Sequence, residues 1–350
     1  MTTLYETWQA AREEGKRARD IATEAGVSEA ELIASAIGAP ATDLGPAPIV
    51  SSRLDVKPVE FLPKLSAVGH VKTITRNESA VLEVEGTYEN LEFFEAHGMG
   101  QALGTIDLRI FLRHWKKAFW VQEQTKRGPR QSLQFFDAAG TAIHKIYATG
   151  KTDTAAFTAL AEASLASEQT STETTEKPAD KPAEKPDADI DVTAFRAAWA
   201  AMKDTHAFFG LMNRFGVTRT QALRLAGEEY AVPLPQDCLG TMLSTAASAE
   251  LPIMIFVGNA GLIQIHTGPV RKIVTMDDWW NILDPETNLH VKRDLVHSAW
   301  LVRKPTADGV VTSVELYDAT GDTVLYAFGK RKPGQAEQPA WRELAESLVQ

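Results

Sequence analysis

Two short segments hold side chains whose types and spacing could do chemistry. In Thr105-Ile-Asp-Leu-Arg-Ile-Phe-Leu112 apolar residues alternate with others. A strand here sends Ile106, Leu108, Ile110 and Leu112 to one face and Asp107, Arg109 and Phe111 to the other. An arginine beside an aromatic ring suits a flat anionic ligand: the ring offers a stacking surface, and the guanidinium donates to a carboxylate or a bound oxygen species. The same pattern also describes an ordinary surface arginine next to an exposed ring. In the second segment Phe195, Trp199, Met202, His206 and Phe209 fall on one helical stripe at three- and four-residue spacing. An imidazole there either hydrogen-bonds within a core or presents a ring nitrogen to a metal, and periodicity alone favours the first.

Other candidates are weaker. The single cysteine, Cys238, excludes an internal disulfide and a thiolate cluster, fits a reducing compartment, and reads as a small buried apolar residue. His290 and His297 have a spacing that would share a helix face, but no carboxylate-rich or HExxH pattern accompanies them, so a dedicated zinc site is not expected. Gly258-Asn-Ala-Gly261 lacks the Gly-Lys-Ser/Thr ending of a phosphate loop and reads as a strand-to-strand turn. Lys116-Lys117 and Arg127 to Arg130 read as solvated edges between strands.

The elements that must position these residues occur twice. Positions 106–147 align without a gap to 287–328, pairing Ser132-Leu-Gln-Phe-Phe-Asp-Ala-Ala-Gly140 with Ser313-Val-Glu-Leu-Tyr-Asp-Ala-Thr-Gly321. Trp8 faces Trp199, and Gly26-Val27 faces Gly216-Val217. Each half opens with helical patterning, passes a Gly-Val turn into another helix, and continues in short alternating runs such as 80–84, 132–136, 253–257, 261–265 and 313–317. Helices grouped before strands predict an α+β fold, a tandem duplication with largely antiparallel sheets. Between the halves, 162–191 is rich in Ser, Thr, Glu, Lys, Pro and Ala with almost nothing apolar to bury. It is expected to be a disordered, solvated linker between an N-terminal repeat at 1–161 and a C-terminal repeat at 192–350.

The copies are not equivalent where chemistry is concerned. Lys16 stands where the second half has His206, and His290 stands where the first half has Arg109. One asymmetric site drawing on both halves explains this, as does relaxed selection on one copy.

The 350 residues carry 44% hydrophobic residues, enough for a sizeable core in each half, and a formal net charge of -10. That charge disfavours broad binding to nucleic acid or anionic membranes. The N-terminus shows neither a basic nor an apolar leader region, and no apolar run approaches membrane-spanning length, so a cytoplasmic protein without membrane insertion is expected. A different class remains in view: Ala18 to Leu32 has the spacing of a DNA-binding helix-turn-helix, echoed by Phe215 to Leu223. Glu29 and Glu31 then stand where phosphate approach wants Lys or Arg, although the second copy offers Arg219 and Arg224.

The segments Asn90-Leu-Glu-Phe-Phe94, Ile106-Asp-Leu-Arg-Ile-Phe-Leu-Arg-His-Trp115, Trp199-Ala-Ala-Met-Lys-Asp-Thr-His-Ala-Phe-Phe209 and Trp300-Leu-Val-Arg-Lys-Pro305 resemble the haemin-utilisation family of HemS, HmuS, ChuS and PhuS. The resemblance spans nearly the whole chain. It implies a duplicated cytoplasmic protein that holds one haem b (iron protoporphyrin IX) between its halves, in haem uptake and iron acquisition. It implies His206 as the iron ligand. Arg109, with Phe111 nearby, is implied on the opposite haem face, acting through water at the iron's other position. Lys304, Tyr317 and Arg331 are the implied propionate contacts, with Phe328 where a tyrosine is expected and Leu82 where some relatives carry histidine. Implied partners are a haem oxygenase or another haem-accepting protein, and a haem ABC importer. The resemblance leaves delivery of haem and reductant- and oxygen-dependent opening of the porphyrin both open; in the second, Arg109 is the catalytic residue.

Overall fold

The computed structural model describes residues 2–39, 49–178, 181, 183–332 and 334–349. The first repeat runs α1 (Leu4–Glu13), α2 (Ala18–Ala25), α3 (Glu29–Ala34), β1 (Ile49–Leu54), α4 (Pro58–Phe61), β2 (Gly69–Arg76), β3 (Ala80–Gly86), β4 (Glu92–Phe94), β5 (Met99–Ala102), β6 (Asp107–Phe111), β7 (Lys117–Thr125), β8 (Gly128–Phe136), β9 (Ala142–Thr152) and α5 (Thr154–Glu162). The second runs α6 (Val192–Ala200), α7 (Ala207–Phe215), α8 (Arg219–Ala226), β10 (Ala231–Leu234), α9 (Cys238–Ser248), β11 (Ile253–Gly258), β12 (Leu262–Gly268), β13 (Ile273–Met276), β14 (Trp279–Leu283), β15 (Thr287–Lys292), β16 (Ser298–Thr306), β17 (Gly309–Tyr317), β18 (Thr323–Gly329) and α10 (Pro339–Glu346). This element-for-element match bears out the duplicated α+β fold. Each repeat also closes on a helix, α5 or α10, beyond the helices-then-strands order.

Local chemistry sets the helix ends. Thr3 and Ser28 open α1 and α3 with capping boxes completed by Glu6 and Glu31, which satisfies backbone donors that a helix start leaves orphaned. Gly26 and Gly216 end α2 and α7 at φ 68 and φ 62, a left-handed conformation that costs glycine no Cβ clash.

The chain folds into two compact units, one comprising 1–76, 83–179 and 259–264, the other 77–82, 180–258 and 265–350. Each unit thus includes a turn segment from the other repeat. In the first unit Asn259 Nδ2 donates to the carbonyls of Arg76 (3.0 Å) and Ile143 (2.8 Å), while its Oδ1 accepts from the amides of Gly261 and Leu262. In the second, Asn77 Nδ2 donates to the carbonyls of Gly258 (3.1 Å) and Val324 (2.9 Å), and its Oδ1 accepts from Ser79 and Ala80. The 258–261 segment is the strand-to-strand turn its sequence predicts.

In the first unit β1, β7, β8, β9 and β2 pair antiparallel in that order, and β4, β5 and β6 form a meander. The five-strand run is buried on both faces. Helices α1–α3 lay Trp8, Ile21 and Ile33 on Phe119, Val121 and Phe136, and the opposite face packs Trp120, Leu133 and Phe135 against Phe61 and Phe157. Each such fully buried side chain contributes roughly 1.5–3 kcal/mol. The second unit repeats the arrangement with β10, β16, β17, β18 and β11 in one run and β13, β14 and β15 in another. Helices α6–α8 bury Phe195, Trp199, Phe208, Leu211 and Leu223 on Val302 and Tyr317.

This packing removes the helix-turn-helix reading. A recognition helix needs an exposed face for a groove, whereas α3 buries Glu29, Ala30, Leu32, Ile33 and Ala34, and α8 buries Gln221, Ala222, Leu223, Leu225 and Ala226. Glu29 is consumed by ion pairs to Arg76 and Lys145.

The Ser/Thr/Glu/Pro segment is exposed over much of its length, yet it carries specific contacts. Glu173 pairs with Arg53 and Lys117, and Asp187 pairs with Arg224. Positions 179, 180 and 182 of the expected linker lie outside the described residues.

Candidate haem-binding residues

Strand β6 shows the predicted alternation. Leu108 and Ile110 are buried, while Asp107, Arg109 and Phe111 are half-buried on the other face. Register extends that face across the meander: Arg109 lies opposite Gln101 and Gln101 opposite Glu92, while Phe111 lies opposite Met99 and Met99 opposite Phe94. The result is an apolar row beside a polar row. Phe94 is 45% exposed and Met99 39%, so the apolar row faces outward. Arg109 is tied to the Asp107 carboxylate and to the Leu108 carbonyl (3.0 Å). Burial raises the Asp107 carboxyl above the usual range, and Arg109 opposes that shift. A flat ring with an anionic edge matches such a face: thioether and phenyl groups for the ring, a fixed guanidinium for the charge.

His206 differs from its predicted setting. The stripe from Phe195 to Phe209 is not continuous, because α6 stops at Ala200 and α7 begins at Ala207. Asp204 lies just ahead of the second helix: its Oδ1 accepts the backbone amide of His206 (2.8 Å), a local side-chain bond at the start of α7. Phe208 therefore points into the core while Phe209 is 66% exposed. His206 is not a core histidine, since its side chain is 94% exposed. Its Nδ1 lies 2.7 Å from the same Asp204 Oδ1. Among the described residues no partner occupies Nε2, the nitrogen a metal would take.

Lys304, Tyr317 and Phe328 share one face of β16–β18, under helices α6–α8. Pairing sets Ser313 opposite Phe328 and Glu315 opposite Tyr326. Lys304 and Tyr317 do not reach the surface. Lys304 is 4% exposed, pairs with the fully buried Glu315, and lies 4.8 Å from the Phe208 ring centroid; the Tyr317 hydroxyl also donates to Glu315. Burial alone would raise the Glu315 carboxyl, but Lys304 and Arg219 together hold it down at about 2. Arg219 stands 3.6 Å from Glu315, half-buried between the rings of Phe208 and Tyr326. Two cations to one anion leave this cluster with a positive excess, and Arg219 is its outward member. Phe328 is half-buried, edge-on to Phe256 at 5.1 Å. Arg331 lies 3.8 Å from Asp308; the Asp204 carboxyl is held low chiefly by hydrogen bonds from the His206 amide and ring, with Arg331 adding least.

The remaining candidates separate. His290 sits on β15 with Nδ1 2.7 Å from Asn281 Oδ1, whereas His297 precedes β16, so the two share no helix. Cys238 is buried, and burial pushes its thiol up to about 12, the inert behaviour its sequence setting predicts. Sequence reasoning missed Asp204, whose signal was an Asp two residues before a histidine, and missed Arg219 as a member of the buried cluster.

Two matching repeats, each of helices followed by antiparallel strands and a closing helix, define a duplicated α+β protein. A haemin-degrading HemS/ChuX domain matches it twice, over residues 26–164 and 216–348, and the chain belongs to that family. It is 39% identical to the hemin transport protein HmuS of Yersinia pestis, over 99% of this chain and 97% of that protein. Its fold is similar to holo-PhuS, a haem-binding protein from Pseudomonas aeruginosa, at 43% identity and TM-score 0.93 over 99% and 98% of the two chains. It is also similar to the haem-degrading enzyme ChuS of Escherichia coli O157:H7, at 37% identity and TM-score 0.89 over 99% of each chain.

Proposed function

We propose that this chain binds haem b in the cytoplasm, with His206 as the protein's ligand to the iron, and serves haem uptake and iron acquisition. The observation that carries the reading is the exposed His206 imidazole, held through Nδ1 with Nε2 outward. A buried or untethered histidine would not supply that geometry.

The donor set fits haem. His206 offers an exposed ring nitrogen, and Phe209 is exposed one helical turn on. The Phe111, Met99 and Phe94 row matches a porphyrin face. The positive excess around Arg219, Lys304 and Glu315, with Arg331, suits propionates; Lys304 and Tyr317 serve it by fixing Glu315, and Phe328 adds an aromatic wall. Bound haem supplies the redox chemistry. Arg109, held by Asp107, would offer bound haem a fixed hydrogen-bond donor. The partners are haem, an importer that supplies it and a haem-accepting protein such as a haem oxygenase. Among the described residues no helix is long and apolar enough to cross a membrane.

Relatives are named both as transport proteins and as a degrading enzyme, so the test must separate the two. Haemin-loaded protein is mixed with ascorbate or NAD(P)H in air, with and without peroxide scavengers. Scavenger-insensitive decay of the Soret band assigns degradation, a stable band assigns delivery, and failure to form a saturable Soret complex defeats the proposal.

A further inference from the structure

The turn that carries His206 is built around one carboxylate oxygen. Asp204 Oδ1 takes both the backbone amide of His206, at 2.8 Å, and its ring Nδ1, at 2.7 Å. A helix start needs only the first bond; the second does nothing for the backbone. It does act on the imidazole. A carboxylate at Nδ1 requires the proton there, which leaves the lone pair on Nε2, and it fixes the ring plane of a side chain that has no packing to fix it. Asp204 is itself 65% exposed, so the bond to the ring is not a by-product of burial.

We propose that Asp204 is a positioning residue for the iron ligand, holding His206 in its Nδ1–H tautomer and strengthening Nε2 as a donor. This inference rests on the assignment of His206 as ligand. An exposed hydrogen bond of this kind is worth little in water, but a porphyrin laid over the imidazole removes solvent and strengthens it. Carboxylate partners of ligating histidines act in this way at metal sites generally.

The test compares wild type with Asp204→Asn, which keeps an acceptor for the backbone amide but loses the charge, and Asp204→Ala, which loses both. Each is loaded with haemin. Three quantities are read: the rate of haemin loss to an excess of a haem scavenger, the iron–imidazole stretching band of the reduced protein, and the iron midpoint potential. Urea unfolding of the haem-free proteins controls for folding. The expected result for Asp204→Ala is haemin loss about 10- to 100-fold faster, a stretching band at lower frequency and a more positive potential. Asp204→Asn should move the band and potential in the same direction with a smaller change in rate. Band and potential at wild-type values in both variants overturn the inference even if affinity falls, because a purely structural role would leave them fixed. A wild-type haemin spectrum indifferent to His206→Ala overturns the ligand assignment itself, and this inference with it.

Discussion

Lys304 and Glu315 form an ion pair inside the second unit, with Glu315 also accepting from Ser313 and Tyr317. Desolvation of two charges consumes much of what their attraction gains, so the pair is weak evidence of stability, but removing one partner strands the other. Lys304→Met is therefore expected to cost at most about 3–5 kcal/mol of unfolding free energy, because Arg219 still faces Glu315 at 3.6 Å. The double variant Lys304→Met/Glu315→Leu should recover part of that loss. Urea titrations of the haem-free proteins measure both. A Lys304→Met protein as stable as wild type, but weaker for haemin, would show instead that Lys304 leaves Glu315 to act on the ligand directly.

Acid should weaken the fold in two stages. His144 is buried between the Tyr88 hydroxyl (2.7 Å) and the Thr75 hydroxyl (3.0 Å), and burial depresses its pKa from 6.5 to about 3. The unfolded chain binds this proton below pH 6.5 and the folded chain does not until about pH 3, so stability falls across that window by about 1.4 kcal/mol per pH unit at most. Glu29 and Glu315 are held at about 2 against an ordinary 4.5. Their contribution is complete above pH 4.5 and is lost as pH falls towards 2. Urea midpoints between pH 8 and 3 should decline below 6.5 and more steeply below 4.5. His144→Phe should be less stable at neutral pH, yet flatter between 6.5 and 4.5. An unchanged slope in that variant would refute the assignment.

The exposed ring of Phe209 makes a simple discriminating variant. Phe209→Ala removes little from the core, so unfolding should shift by less than about 0.5 kcal/mol. If the ring covers bound haem, haemin affinity should fall by roughly tenfold, as loss of about 1.5 kcal/mol of apolar burial implies. Equal affinities would remove Phe209 from the site.

Arg109 should matter more to reaction than to capture. If reductant and air open the porphyrin, Arg109→Ala should slow that step by more than it raises the haemin Kd, as its proposed catalytic role requires. Equal losses in the two measurements would make Arg109 a binding residue only.

Much of this was legible in the residues. The alternation in 105–112 placed Arg109 and Phe111 on the outward face of β6, because a strand's period of two leaves no other choice once Leu108 and Ile110 are buried. The duplication emerged from self-alignment, and with it the contrast of His206 with Lys16. Other features were hidden for identifiable reasons. Spacing sets His206 and Phe209 on a continuous stripe because it cannot register that α6 ends at Ala200 and a new helix starts at Ala207, which turns Phe208 inward instead. The resemblance implies Lys304 as a propionate contact, and its burial was hidden because its pair with Glu315 depends on register between β16 and β17. Spacing also cannot register the reach of Asn77 to the Val324 carbonyl in one unit, or of Asn259 to the Ile143 carbonyl in the other.

The most direct test of the central claim is a haemin titration of purified wild-type protein and His206→Ala, followed in the Soret region at equal protein concentration. Wild type should give a saturable, equimolar band and His206→Ala a shifted and weakened one, with urea unfolding of the two haem-free proteins alike. Identical bands and affinities in the two proteins would contradict it.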